Sequence, residues 1–249
     1  MSNIKLLIGT YNSQPAGSYD YIFEQAYQDA YKPYLTVFYN FPNLPITLFY
    51  SGTLLSWLED HHPEFLMLLN DMVKQKRIEL LSGGFYDPVF SITPSSDRIG
   101  QIEKLTTYLR KQFGKRPRGA WISELAWEPS LTSMFNTSGI NYIFLDERHF
   151  LHAGFQQSEL NYPCITEDQG KTLLVYPIAS SICNSIPFKT PDQVFDDIMS
   201  VYDEQEERYV VLLDPGEKYG LYNDTNARCY KERWLEQFHH QIATQTTRY

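Results

Sequence analysis

Acidic residues follow short apolar runs at several points in this sequence. Glu124 comes just after an apolar run and lies between two tryptophans. Asp214 ends the apolar run 209–213 and is followed closely by Glu217. Two carboxyl groups that flank a glycosidic bond can cleave it, one as nucleophile or base and the other as proton donor. The residue types therefore indicate chemistry on a sugar, provided that the fold brings these positions together.

Apolar runs that alternate with amphipathic stretches must position these side chains. The predicted strands begin at Lys5, Ile46, Arg77, Arg118, Tyr142, Leu173 and Arg208. Strands separated by helices predict βα units and a parallel sheet. Neither a dinucleotide-binding glycine pattern nor a phosphate loop follows the first strand, which disfavours a doubly wound sheet. We therefore predict an α/β fold, a TIM-like (β/α)7 barrel of parallel strands, as one domain over residues 1–249.

Helix boundaries are marked by proline, glycine and capping residues. Pro63 is typical of a first helical turn. A long amphipathic stretch is predicted to begin with Ser95 or Ser96 as its cap and to end near Gly114. Thr190 is predicted to cap a later helix.

In a barrel, the residues at the carboxyl ends of the strands converge on one mouth. Taken alone, each acidic residue there is more often a cap or a salt-bridge partner than a catalyst. Glu124 has the best context, because its two tryptophans could desolvate it or stack on a sugar ring. The predicted site residues are Tyr11, Ser13, Glu79, Trp121, Glu124, Trp127, Asp146, Asp214 and Glu217, with Asn12, Gln14 and Ser123 nearby.

Bulk composition disfavours several classes of partner. The net charge of −9 argues against nucleic acid or an anionic membrane as partner. No apolar stretch approaches the roughly 18 to 20 residues that span a bilayer. The three cysteines lack metal-ligand spacing, and with no signal peptide in view they predict reduced thiols in a cytoplasmic protein. No metal or other cofactor is expected.

Four stretches, in order along the chain, resemble the motifs of glycoside hydrolase family 57, especially its 4-α-glucanotransferase branch. YNSQP at residues 11–15 is similar to the family's HNHQP, and RIELLSGGFYDPV contains Glu79 at the position of the second motif's glutamate. WISELAW at residues 121–127 is similar to WLTERVW, and LDPGEKYG at residues 213–220 is similar to HDDGEKFG. The similarity runs nearly end to end along this chain.

The resemblance implies a fold and a set of roles. It implies a seven-stranded βα barrel, followed in the family by a helical region, and retaining chemistry on α-glucans without a metal. Glu124 matches the nucleophile. Supporting and cleft-lining positions are matched by Glu79, Glu217, Trp121, Trp127 and Asp146.

Departures from the motifs put the activity in doubt. Tyr11 and Ser13 replace both histidines of the first motif, and Leu125 replaces the arginine after the nucleophile. Pro215 stands at the acid/base position and has no proton to give. Loss of a general acid/base lowers a rate on the order of 10²- to 10⁴-fold. Asp214 could replace it only if a bulge at Pro215 re-aimed the side chain, because neighbouring strand residues face opposite sides.

Two hypotheses follow from the resemblance. The favoured one is a catalytically impaired protein that binds an α-glucan or maltooligosaccharide, as a binding or regulatory module. The alternative is an active, retaining 4-α-glucanotransferase or amylase with Glu124 as nucleophile and Asp214 or Glu217 as acid/base. The chain stops where the family's helical region would begin, and apolar surface left uncovered there would favour a homodimer.

A polysaccharide deacetylase is a third hypothesis, because that class has a related barrel. Its metal site needs an aspartate and two histidines near strand ends. His61 and His62 lie together at a predicted helix start, and Tyr11 and Asn12 stand where an acidic residue is expected. This hypothesis is therefore the least favoured of the three.

Overall fold

The computed structural model describes residues 3–245 as an α/β structure of eight strands and ten α-helices. The strands are β1 (Ile4–Asn12), β2 (Ile46–Tyr50), β3 (Ile78–Leu80), β4 (Gly119–Ala120), β5 (Tyr142–Asp146), β6 (Cys164–Asp168), β7 (Lys171–Ile178) and β8 (Arg208–Pro215). The helices are α1 (Asp20–Ala26), α2 (Lys32–Tyr39), α3 (Gly52–His61), α4 (Pro63–Lys74), α5 (Ser95–Phe113), α6 (Leu131–Thr137), α7 (Glu147–His152), α8 (Ser180–Cys183), α9 (Pro191–Met199) and α10 (Trp234–Gln245). The predicted domain of residues 1–249 extends beyond the described residues at both ends.

Seven parallel strands form the TIM-like barrel. They lie in two four-stranded sheets, one ordered β3-β2-β1-β8 and the other β4-β5-β7-β6. At one seam, Ser82 after β3 pairs with Ala120 of β4. At the other, the amide of Ala179 after β7 donates to the carbonyl of Val211 in β8 over 2.9 Å. All seven predicted parallel strands are present.

The remaining strand, β6, was not predicted. It pairs antiparallel with β7, from Cys164 opposite Val175 to Asp168 opposite Lys171. Its sequence, CITED, is largely polar and half exposed, so it lacks the apolar run that identifies a buried strand. The hairpin extends the second sheet at its outer edge.

Three helix boundaries confirm the predictions and one corrects them. Pro63 begins α4, and Gly114 ends α5 with a left-handed φ of 70°. Thr190 caps α9, where its side chain accepts from the amide of Gln193. The predicted cap of α5 was wrong, because Pro94 occupies the cap position and Ser95 is the first helical residue.

Strand β8 continues without a bulge through Pro215. Its register with β1 is regular from Ile4 opposite Arg208 to Tyr11 opposite Pro215. A short 3-10 turn, Gly216–Tyr219, follows at once. Glycine at position 216 allows a close approach to Asn12, because a Cβ there would lie 1.8 Å from Oδ1 of Asn12 and would displace that side chain. The re-aiming bulge considered for Pro215 is therefore not found.

Both faces of the parallel strands are buried. Apolar side chains from β1, β2 and β8 pack with the surrounding helices in a large core, and a second core lies beneath β4, β5 and β7. Within residues 3–245, no helix has the length and apolar character required to cross a membrane.

Candidate active site

A cavity of about 780 Å³ opens at the carboxyl ends of the barrel strands. It collects side chains that are far apart in the sequence, as the barrel hypothesis requires. Of the predicted site residues, those that line it are Tyr11, Ser13, Trp121, Glu124, Asp146, Asp214 and Glu217.

Two predicted site residues lie elsewhere. Glu79 is in the middle of β3 and lines a separate cavity of about 490 Å³, together with Lys76 and Arg118. Burial raises the pKa of the Tyr142 hydroxyl, and the nearby Glu79 carboxyl raises it further. Trp127 packs against the second core. The structure does not bring Glu79 or Trp127 to the larger cavity.

Glu124 stands on an unusual piece of backbone. The 3-10 turn Ser123–Leu125 presents it with a φ of 56°, and Leu125 follows with a φ of 51°. Residues other than glycine rarely adopt this left-handed backbone conformation, and such strain is concentrated at functional sites. Glu124 is exposed, so the predicted desolvation by the two tryptophans is not observed. Its carboxylate is open to the cavity.

Asp87 is a site residue that the sequence predictions missed. It lines the same cavity and also has a left-handed φ, of 50°. Burial raises the pKa of its carboxyl to about 6, and the charge of Glu124 adds to the rise, whereas hydrogen bonds from Ser13 and Ser123 oppose it. Its Oδ1 is buried without a hydrogen-bond partner in residues 3–245. The motif GGFYDP carried the signal, a carboxylate in a loop just beyond a strand.

Asp214 is held in a buried ion pair. Its Oδ1 accepts from Nζ of Lys218 over 2.9 Å, and its Oδ2 accepts from the Tyr219 hydroxyl over 3.2 Å. The side chains of Asp214 and Lys218 are each only 6% exposed. Burial raises the pKa of Asp214, and both partners oppose the rise. Because both carboxyl oxygens are engaged, this group is poorly placed to give a proton to a leaving oxygen.

Glu217 is held by several donors on one oxygen. Its Oε1 accepts from the Tyr31 hydroxyl, from Nε2 of Gln14 over 3.2 Å and from the amide of Ser13 over 3.4 Å. Burial raises the pKa of Glu217, and hydrogen bonds, chiefly from Tyr31, oppose the rise. This network ties the end of β8 to the loop after β1.

Asp146 is an ionised anchor. Although burial disfavours its charge, hydrogen bonds from Arg148 and Ser180 lower its pKa to about 2. The guanidinium binds both carboxyl oxygens, and the Ser180 hydroxyl donates over 2.7 Å. Asp146 also caps α7 by accepting from the amide of Arg148. Its first role is thus to fix the loop after β5.

The metal site required by the deacetylase hypothesis can be checked against the structure. In residues 3–245, no three histidine, cysteine, aspartate or glutamate side chains are grouped to hold a metal ion. His62 contacts Glu24 and Glu64 instead, and His61 bonds to the carbonyl of Trp57. The cavity offers carboxylates and an open glutamate, which suit covalent chemistry at an anomeric carbon.

Comparison with known proteins identifies the family. The family described as Glycosyl hydrolase family 57 matches residues 10–248. The chain is 38% identical to alpha-amylase 1 of Dictyoglomus thermophilum, covering 95% of this chain and 34% of that protein. It is 36% identical to 4-alpha-glucanotransferase of Thermococcus kodakarensis, covering 98% of this chain and 37% of that protein.

A solved structure agrees with these sequence matches. The crystal structure of 4-alpha-glucanotransferase from Thermococcus litoralis superposes with a TM-score of 0.95 at 34% identity, covering 98% of this chain and 38% of that one. The chain spans little more than a third of the length of these relatives. From the matched residues, the identity and the shared fold, the chain belongs to glycosyl hydrolase family 57.

Proposed function

We propose that this chain binds an α-glucan or maltooligosaccharide in the larger cavity and that its glycosyl transfer is impaired, so that it acts as a glucan-binding or regulatory protein of carbohydrate metabolism. The names of its relatives, alpha-amylase and 4-alpha-glucanotransferase, support the ligand class. The proposed glucan contacts are Tyr11, Ser13, Trp121, Asp146 and Glu217, which line this cavity with Glu124.

One observation carries the proposal. Asp214 is bound on both oxygens by Lys218 and Tyr219, and it neighbours Pro215, which in this proposal takes the acid/base position of the family motif. A retaining mechanism needs a proton donor for the leaving oxygen and then a base for the incoming water or sugar hydroxyl. Without that group, Glu124 faces a leaving group that departs as an unstable alkoxide. The rate should fall on the order of 10²- to 10⁴-fold.

The test measures binding and transfer separately. The protein is titrated with maltoheptaose by calorimetry, and the same mixture is analysed over time for redistribution of chain lengths. We expect saturable binding with little or no redistribution. Rapid redistribution that disappears in Glu124→Gln would contradict the impairment, and absence of binding would contradict the ligand class.

The alternative is an active enzyme in which Glu217 or Asp214 supplies the proton. Glu217 is the better candidate, because all three of its donors converge on Oε1 and burial favours its protonated form. If this alternative holds, Glu217→Gln should abolish redistribution. Asp214→Asn, in contrast, should act mainly through stability.

Two further predictions belong to this proposal. A cytoplasmic location is supported by Cys164, Cys183 and Cys229, which are all free thiols. A homodimer is tested by sedimentation at several protein concentrations, where a mass that stays at one chain would contradict it.

A further inference from the structure

Two departures from the family motifs are neighbours in space. Tyr11 stands at the end of β1, where the motif has histidine, and Pro215 stands at the end of β8, where it has the acid/base aspartate. They are register partners of the parallel pair β1 and β8. Adjacent strands lie about 4.8 Å apart, and register partners face the same side of the sheet. The two substitutions therefore change one patch of the cavity wall.

The ring of Tyr11 covers Trp121. The two rings stack with their centroids 3.8 Å apart and their planes 12° from parallel. Trp121 is only 3% exposed, so one face of its indole is not available to a sugar. Tyr11 is more exposed and lines the cavity. The aromatic surface that a ligand meets here is thus mainly that of Tyr11.

The hydroxyl of Tyr11 lies in an acidic environment on the β8 side. Burial raises the pKa of Tyr11, and the charges of Asp214 and Glu217 and the hydroxyl of Tyr222 raise it further. The phenol therefore keeps its proton, because a phenolate would stand beside two carboxylates. A group so reluctant to ionise is a poor general acid, yet it remains a good hydrogen-bond donor.

We propose that Tyr11 and Pro215 act as one specificity-determining pair, in which the phenol and the pyrrolidine ring fill the space of the proton donor and bind a pyranose ring by stacking and one hydrogen bond. The inference rests on the proposed function, since it requires an α-glucan in this cavity. Under this inference, the part of the cavity wall where the family's proton donor acts binds a sugar ring without reacting with it.

The pair explains why a single reversal should not restore transfer. An aspartate at position 215 would enter a wall already occupied by the Tyr11 ring, whereas the family motif has a histidine at position 11. Histidine at position 11 is smaller than tyrosine and can pair with a carboxylate. The two reversals should therefore reinforce each other, which is the signature of coupled positions.

The experiment is a double-mutant cycle with two readouts. Tyr11→His, Pro215→Asp and the double variant are compared with the unchanged chain for maltoheptaose affinity by calorimetry and for chain-length redistribution. We expect Pro215→Asp alone to gain less than about tenfold in redistribution and the double variant to gain on the order of 10²-fold or more. Tyr11→His should weaken affinity roughly 2- to 10-fold through lost stacking.

A second variant keeps the inference falsifiable if the double variant does not fold. Tyr11→Phe keeps the ring and removes the hydroxyl, so affinity should fall roughly fivefold for one lost hydrogen bond. Tyr39→Phe, in α2 and outside the cavity, is the matched control and should bind normally. Full recovery by Pro215→Asp alone, or unchanged affinity in both Tyr11 variants, would overturn the pair and leave glucan binding intact. Failure of the unchanged chain to bind maltoheptaose would overturn both.

Discussion

Two walls of the same cavity have opposite characters. The nucleophile wall, formed by Asp87, Ser123 and Glu124, has left-handed backbone at both carboxylates, and Glu124 is exposed. In the β8 wall, formed by Asp214, Pro215, Glu217 and Lys218, every charged side chain is hydrogen-bonded, and the Asp214–Lys218 pair is buried. Strained and open side chains are typical of groups that react, whereas paired and buried ones are typical of groups that support a fold.

The difference separates two halves of one mechanism. A retaining glycosidase needs a nucleophile on one side of the sugar and an acid/base on the other. In the proposed function, Glu124 takes the first position, and the second is occupied by Pro215 beside the Asp214–Lys218 ion pair. The nucleophile wall should therefore still react when the leaving group needs no proton. The β8 wall should respond to mutation mainly through stability.

The largest expected effect follows from supplying such a leaving group. With α-maltosyl fluoride the leaving group is fluoride. The C1–F bond breaks while a C1–O bond forms to the Glu124 carboxylate. Because no acid is required, this step should run on the order of 10²- to 10⁴-fold faster than attack on a maltooligosaccharide. Intact-protein mass spectrometry should show one added maltosyl group, lost again slowly without a base.

Two controls decide whether the adduct belongs to the nucleophile wall. Glu124→Gln should give no adduct, and peptide mapping of the unchanged chain should locate the added group at Glu124. An adduct that persists in Glu124→Gln would mean that another cavity carboxylate reacts and that the nucleophile is misassigned.

Lys218→Met should produce the largest loss of stability. It leaves the buried Asp214 carboxylate with only the Tyr219 hydroxyl and removes the 2.6 Å hydrogen bond from Lys218 to the Cys183 carbonyl. Breaking a buried ion pair from one side costs about 3 to 5 kcal/mol. Urea unfolding measures the change, and adding Asp214→Leu should recover much of it. A cost below about 1 kcal/mol would show that the pair is not structural.

The elements that carry these walls were mostly predictable. Continuous apolar runs predicted the seven parallel strands, because a strand covered on both faces has to be apolar throughout. Helix ends such as Gly114 and Thr190 follow from local backbone chemistry, which a few neighbouring residues determine. Strand β6 was not predicted because it lies at the edge of its sheet, where its residues are half exposed and form no continuous apolar run.

The hydrogen bonds and ion pairs of the residues that line the cavity were much less predictable. The pairing of Asp214 with Lys218 depends on the 3-10 turn after β8, and that turn depends on a close approach of Gly216 to Asn12. Asp87 acquires its surroundings from loops that are 74 and 36 residues away in the sequence, at Ser13 and Ser123. Hence the sequence predicts Asp214 as a candidate catalytic residue and does not single out Asp87.

Asp87→Asn should remove a pH dependence of stability from the nucleophile wall. Burial holds the pKa of Asp87 at about 6, above its value in the unfolded chain, so the folded state binds this proton more tightly. That contribution is complete below about pH 4 and is lost as the pH rises through about 6. The unfolding free energy of the unchanged chain minus that of the variant should fall by roughly 2 kcal/mol from pH 4 to pH 7.

The matched control for Asp87→Asn is Asp196→Asn, which changes an exposed aspartate in α9. Its stability difference should vary much less with pH over the same range. If both variants show the same small pH dependence, the raised pKa of Asp87 is contradicted, and with it the electrostatic coupling to Glu124.

Tyr31→Phe should have the smallest effect and probes the β8 wall from its other side. The Tyr31 hydroxyl donates to Oε1 of Glu217 and lowers the pKa of that carboxyl against the effect of burial. Removing it should cost about 1 kcal/mol where Glu217 is ionised and less where Glu217 is protonated, because the bond favours the charged form. Tyr230→Phe is the matched control, since its hydroxyl bonds to the neutral carbonyl of Ala30 over 3.2 Å. Urea unfolding at several pH values should therefore give a cost that grows with pH for Tyr31→Phe and stays level for Tyr230→Phe. A level cost for both would mean that Glu217 does not change its charge in the folded protein, which would count against Glu217 as the acid/base of the alternative.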